Sequence, residues 1–194
     1  MMFFNQVTFN MKTIIFALIF TFLLYACSGS TELKDNRTAY NYVHHLKQTP
    51  ATFNHEVKNT FEKIFHDFKT GATEFNIRSV YADKFYFNDT FKIIENIDEL
   101  VAYMLDSASH VNSTTVEVHE VIAGEQDYYI RWSMKMDLTV KHKHINSYSI
   151  GMTQLRFNEQ GKVVFHQDFW DSSEAFYEHL PLLGYWLKKV KKMM

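Results

Sequence analysis

A single cysteine, Cys27, stands among the 194 residues. No internal disulfide can form, so an oxidising compartment is permitted but not exploited. Two prolines and six glycines are too few for a collagen-like or low-complexity chain. Neither sign of charge dominates: 20 Lys and Arg stand against 22 Asp and Glu, for a net charge of −2. No global field draws nucleic acid, and no nucleic-acid partner is expected. Several chemical signatures are missing as well: a glycine-rich phosphate loop, a Ser-His-Asp order and a nucleophilic cysteine, so no cofactor is expected. The apolar run from Ile14 to Leu24 is shorter than the roughly 20 residues a spanning helix needs.

That run suits the core of a signal peptide. Met11 offers a start, Lys12 a positive n-region, and Leu24-Tyr25-Ala26-Cys27 resembles the bacterial lipobox, whose cysteine is lipidated and becomes the mature N-terminus. An ordinary signal peptide cut after Ala26 would instead leave Cys27 free. The division expected is a signal peptide over 1–27 with Met11 as its start, a polar tether over 28–48, a folded domain over 49–175 and a basic segment over 176–194. A lipidated Cys27 implies an anchored protein of the bacterial cell envelope. Its domain would lie outside the cytoplasm, on the periplasmic side in a Gram-negative cell.

Aromatic residues make up 16% of the chain, ample for a core and an aromatic-lined cavity. Thr49-Pro50 opens a helical pattern carried by Phe53, Val57, Phe61, Ile64, Phe65 and Phe68 and closed at Gly71. A second helix is predicted over Thr73–Ala82, then a short strand at Phe85–Phe87. Asn96-Ile97-Asp98-Glu99 reads as a capping box ahead of a third helix with Leu100, Val101, Met104, Leu105 and Ala108 on one face. The period then changes to two: Val116 to Ile122, Ile130 to Val140, Ile145 to Phe157 and Lys162 to Trp170 read as strands. The fold class expected is α+β: three N-terminal helices packed on the concave face of a curved antiparallel sheet, plus a short C-terminal helix.

In the last strand, alternation places His166, Asp168 and Trp170 on one face, with Phe165, Gln167 and Phe169 on the other. The first face is either a ligand pocket or a tolerated oddity of an exposed sheet. In the tail, Leu182 to Lys192 joins aromatic to basic residues. It is read either as an amphipathic helix on an anionic membrane or as a helix packed on the domain with solvated lysines.

Tyr81-Ala82-Asp83-Lys84-Phe85-Tyr86-Phe87-Asn88-Asp89 and Leu155-Arg156-Phe157-Asn158-Glu159-Gln160-Gly161-Lys162-Val163-Val164, running on to Phe169-Trp170, together resemble the nuclear transport factor 2-like superfamily. The second resembles the last hairpin of ketosteroid isomerases and SnoaL-type polyketide cyclases in particular. The resemblance spans roughly Phe53 to Asp171 and implies a cone, a strongly curved sheet around helices with a pocket at its open end. It puts Asp89 where ketosteroid isomerases keep the proton-moving aspartate. It also puts Phe65 near their oxyanion-hole tyrosine and Thr153 at their protonated aspartic acid. A phenyl ring donates no hydrogen bond and a threonine only a neutral one, so ketosteroid isomerase chemistry is not expected.

The candidate catalytic residues are therefore Asp89, His166 and Asp168, with Phe65, Tyr81, Thr153 and Trp170 as candidate pocket residues. The plainer reading makes Asp89 a cap of the loop after it and bonds Asp168 to a backbone amide or to Arg131. His166 and Asp168 are also half of a two-histidine-one-carboxylate iron site. No spacing ties in His110 or His119 as the missing ligand, and no metal is expected. His142 and His144, alternating with Lys141 and Lys143, read as a solvated turn, and Asp171 as a helix cap.

Three functions stay open. The first is an anchored module binding a small hydrophobic molecule. The second is a cofactor-independent acid–base enzyme, of isomerase, cyclase or dehydratase type, built on Asp89 and His166/Asp168. The third is a homodimer or partner interface through outer-face residues such as Tyr129, Tyr148 and Met152.

Overall fold

The computed structural model describes residues 56–140 and 143–194, with Tyr42, His44, His45 and residues 47–49 before them. The signal-peptide run, the lipobox, the helix start at Pro50, and His142 lie outside the described residues. In chain order the elements are α1 (Val57–Phe65), α2 (Phe68–Gly71), α3 (Glu74–Val80), β1 (Tyr81–Asn88), β2 (Ile93–Asn96), α4 (Ile97–His110) and β3 (Val111–Ala123). Then come β4 (Tyr128–Val140), β5 (Lys143–Phe157), β6 (Val163–Trp170), α5 (Ser172–Ala175), a 3₁₀ turn (Tyr177–His179) and α6 (Leu183–Lys191).

The phenylalanine spacing predicts one helix running to Gly71, but it breaks at His66–Asp67. Asp67 turns extended and caps α2, accepting from the Lys69 and Thr70 amides at 3.1 and 3.4 Å. His66 docks on β3 instead: its carbonyl accepts from the Val116 amide at 2.9 Å. A short carboxylate that can cap a new turn outweighs continuing periodicity. Thr73 caps α3, which ends at Val80 because Tyr81 is already extended. The strand expected at Phe85–Phe87 is accordingly longer, taking in Tyr81 to Asn88. Asn96 caps α4 as its sequence foretold, accepting from Asp98 and Glu99.

The six strands form one curved sheet in the order β2-β1-β6-β5-β4-β3. All neighbours are antiparallel except β1 and β6, which run parallel with Phe87 beside His166. Neither β2 nor this parallel junction is visible in the periodicity, since β2 has only four residues. Helices α1 and α2 pack on β3, and α4 packs on β1 and β2. The core between them holds Phe61, Ile64, Ile77, Leu100, Met104, Ile130 and Phe157.

Candidate functional site

Alternation along β4 turns Trp132, Met134, Met136 and Leu138 inward, and β5 and β6 turn Thr153, Asp168 and Trp170 the same way. With Phe61 and Phe65 of α1, Phe87 of β1 and Tyr103 of α4 they enclose a cavity of about 510 Å³. That is ligand-sized. Exposed Phe91, Asp106, His110 and Thr139 mark its rim, while Phe87, Met104 and Thr153 are almost wholly buried.

Thr153 lies between two neighbours on the sheet, pairing with Ile130 of β4 and Asp168 of β6. Its hydroxyl accepts from the Trp132 indole N–H at 2.9 Å and donates to Asp168 Oδ1 at 2.5 Å. The same carboxylate oxygen lies 3.0 Å from His166 Nε2, and His166 Nδ1 lies 2.8 Å from the Tyr81 hydroxyl. A carboxylate only accepts, so Nε2 carries a proton, and in the neutral imidazole Tyr81 donates to Nδ1. Burial, and then the charges of Asp168 and Asp89, hold the Tyr81 phenol well above its ordinary pKa, keeping it a donor. Both donors land on Asp168 Oδ1; Oδ2 takes no hydrogen bond among the described residues.

Gly151 makes room for this arrangement. It pairs with Trp132 on one side and Trp170 on the other, and a Cβ there would stand 2.5 Å from the Trp132 ring. The two indoles lean together across it, centroids 6.5 Å apart.

Asp89 follows β1 at the turn into β2. Its Oδ1 accepts from the Phe91 and Lys92 amides at 2.9 and 2.8 Å, and its Oδ2 accepts a short hydrogen bond from the Tyr103 hydroxyl. Its carbonyl takes the Trp170 indole N–H at 3.1 Å. Burial raises the Asp89 pKa above the ordinary carboxylate range, against the hydrogen bonds from Tyr103 and Lys92 and with help from the charge of Asp168. Burial and Asp89 also push the Tyr103 phenol up, so Tyr103 remains a donor. Thr90, next to Asp89, holds a left-handed φ of 76°, a conformation a β-branched residue adopts only under constraint.

This architecture has solved counterparts. A putative SnoaL-like polyketide cyclase from Shewanella putrefaciens matches with a TM-score of 0.51 at 11% identity, over 63% of this chain and 94% of that one. A protein with a ketosteroid isomerase-like fold from Catenulispora acidiphila, solved in complex with trimethylamine, gives 0.52 at 10% identity, over 63% and 91%. TsrD from Streptomyces laurentii gives 0.52 at 9%, over 63% and 94%. The chain has the nuclear transport factor 2-like fold. No protein-family model and no curated protein matches the sequence, and at these identities the likeness carries the fold and nothing finer.

Within the cone, the candidate residues separate. Asp89, Asp168, Phe65, Thr153 and Trp170 line the cavity. His166 and Tyr81 do not: each is 1% exposed, stacked behind Asp168 among Phe65, Phe85 and Phe87. The sequence reading has both facing a ligand, but the β1–β6 junction covers them, and they hold Asp168 from behind. Asp89 is both the loop cap of the plainer reading and a cavity residue. Arg131 pairs with Glu120, not Asp168. His119 Nε2 lies 2.9 Å from Ser133 Oγ, and His144 pairs with Asp137 at 2.8 Å. Among the described residues no three His, Cys, Asp or Glu side chains gather as a metal site would need. Asp171 caps α5, accepting from the Glu174 amide at 3.1 Å. Tyr103 was missed; its hydrophobic neighbours on α4 mark it as a core residue, and only the fold brings it to Asp89.

Proposed function

We propose that this domain binds a small, largely apolar molecule inside the cone, its polar end against Asp89 and Asp168. The observation that carries this reading is the convergence of two carboxylates on one apolar, aromatic cavity of about 510 Å³. A neutral fluorophore such as Nile red tests it. The chain should bind the dye with a blue-shifted emission, and Met134→Trp, which fills the cavity, should abolish binding. Undiminished binding to the Met134→Trp variant sinks the reading.

A second reading, proton-transfer catalysis, is favoured by one further observation. Asp89 is held above the ordinary carboxylate range beside a phenol donor, and Asp168 Oδ2 takes no hydrogen bond among the described residues. Carboxylates so placed can pass a proton to and from a bound ligand. Deuterium exchange next to the carbonyl of a hydrophobic ketone, followed by NMR, should be faster with wild type than with Asp168→Asn.

The anchored setting is part of the proposal. Cys27 would carry the lipid at the cell envelope. Helix α6 would add contact with anionic lipid, because Leu183, Trp186 and Val190 are exposed along one stripe beside Lys188, Lys189 and Lys192. Among the described residues, no helix is long and apolar enough to cross a membrane. Loss of membrane fractionation in Cys27→Ser, with Trp186→Ala weakening binding to phosphatidylserine vesicles, is the expected result.

A further inference from the structure

The charge lining the cavity is one-sided. Asp89 and Asp168 line it, with Asp106 and His110 at the rim and no lysine or arginine among the described residues. Lys92, the cation beside this group, is exposed and rests over the Tyr103 ring 5.0 Å away. Two carboxylates in one apolar enclosure repel each other, and an anionic ligand would add to that repulsion. A neutral ligand relieves nothing. A cation relieves both charges, and the faces of Tyr103, Trp132 and Trp170 attract it as well.

A second observation points to the other end of a ligand. Thr114, on β3, is only 4% exposed, lines the same cavity, and its hydroxyl has no hydrogen-bond partner among the described residues. A buried hydroxyl left unpaired is costly. Thr114 pairs with Met136 on β4, whereas Thr153 and Asp168 share the Ile130 row. The two polar points are thus separated by about six positions, roughly 20 Å of strand, with Trp132 and Met134 between them. Side chains reaching inward from a curved sheet shorten that span.

We propose that the cavity selects an elongated lipophilic ammonium compound, its cation between Asp89 and Asp168 and a hydroxyl or carbonyl at its far end bonded to Thr114. This rests on the cavity being a ligand site, and the test separates the two claims. Decylamine, decanol and decanoate share one chain and differ in charge. Calorimetric titration of the full chain should find decylamine bound at least about tenfold tighter than decanol, the weight of a charge-assisted hydrogen bond. Decanoate should bind weakest. Asp168→Asn should bring decylamine down to the level of decanol, with circular dichroism showing the variant folded. Decanol binding as tightly as decylamine overturns the ammonium proposal and leaves the cavity reading standing; binding of none of the three overturns both. An aminodecanol with its hydroxyl at the far end of the chain should gain about threefold or more over decylamine, and Thr114→Val should erase the gain. Equal affinities in wild type overturn the Thr114 contact.

Discussion

The two faces of the sheet at β1, β5 and β6 bury similar chemistry in opposite circumstances. On the outer face Tyr86, Asn88, Gln154, Arg156 and Gln167 are all buried, and neighbours close over them, with Gln154 Nε2 finding no hydrogen-bond partner among the described residues. Tyr86 donates to Gln167 Oε1 at 3.2 Å and Asn88 donates to Tyr86 at 3.1 Å. Tyr42 donates to Gln154 Oε1 at 3.0 Å and the His45 ring stacks on Tyr86, centroids 4.6 Å apart. The Arg156 guanidinium grips both Asp127 oxygens and donates to the Thr49 carbonyl at 2.6 Å. On the inner face Thr153, Asp168 and Asp89 are equally organised, yet they open onto empty volume. Polar burial alone does not mark a functional site. A polar group closed over by partners holds the fold together, and one that opens onto a cavity is available to a ligand.

The comparison breaks first at Arg156. Arg156→Ala leaves the Asp127 carboxylate half-buried without its cation, and should cost about 3–5 kcal/mol, read as a fall in the urea midpoint. Binding of Nile red at temperatures where the variant is folded should not change. A loss below about 1 kcal/mol, the range of surface pairs, would mean that the outer cluster is not sealed. Gly151→Ala strikes the inner face. Its Cβ meets the Trp132 ring at 2.5 Å, so the indole must tilt away from Thr153, at about 1–3 kcal/mol for overpacking. Tryptophan emission should shift and dye affinity should fall together. A shift in neither shows that the two indoles do not shape the cavity.

How far the sequence revealed these faces depends on the range of the interaction. Period-two alternation placed His166, Asp168 and Trp170 inward and Phe165, Gln167 and Phe169 outward, because alternation is local geometry. It could not separate His166 from Asp168, since what covers His166 is Phe87 on a parallel neighbour 79 positions away in the chain. Tyr103 was hidden for the same reason: its role comes from Asp89, which the turn after β1 brings across to α4. Tyr42 and His45 fall in the stretch whose composition reads as tether, yet they pack against Phe165, Gln154 and Tyr86. A polar segment that finds buried partners looks, in sequence, like one that does not. Gly151 is one glycine inside a strand pattern, and only the two flanking tryptophans give it meaning.

The smallest expected effect distinguishes a site tuned for chemistry from one built for strength, and it is read at Asp89. Burial raises its folded-state pKa above the unfolded value, so the folded chain binds the extra proton. Its contribution to stability is therefore fully present below the unfolded carboxylate pKa and is lost as pH rises through the raised folded one. Asp89→Asn keeps an acceptor for the Phe91 and Lys92 amides but carries no charge. At neutral pH the variant should match or exceed wild type in stability, and the difference should shrink as the pH falls into the carboxylate range. Urea unfolding of both proteins across that range measures it. A wild type more stable at neutral pH, losing its lead in acid, would show that the hydrogen bonds from Tyr103 and the two amides outweigh burial. Asp89 would then belong with the sealed outer cluster as a structural cap. The predicted sign instead leaves a carboxylate held in the cavity at a cost to the fold, as proton transfer or cation binding requires.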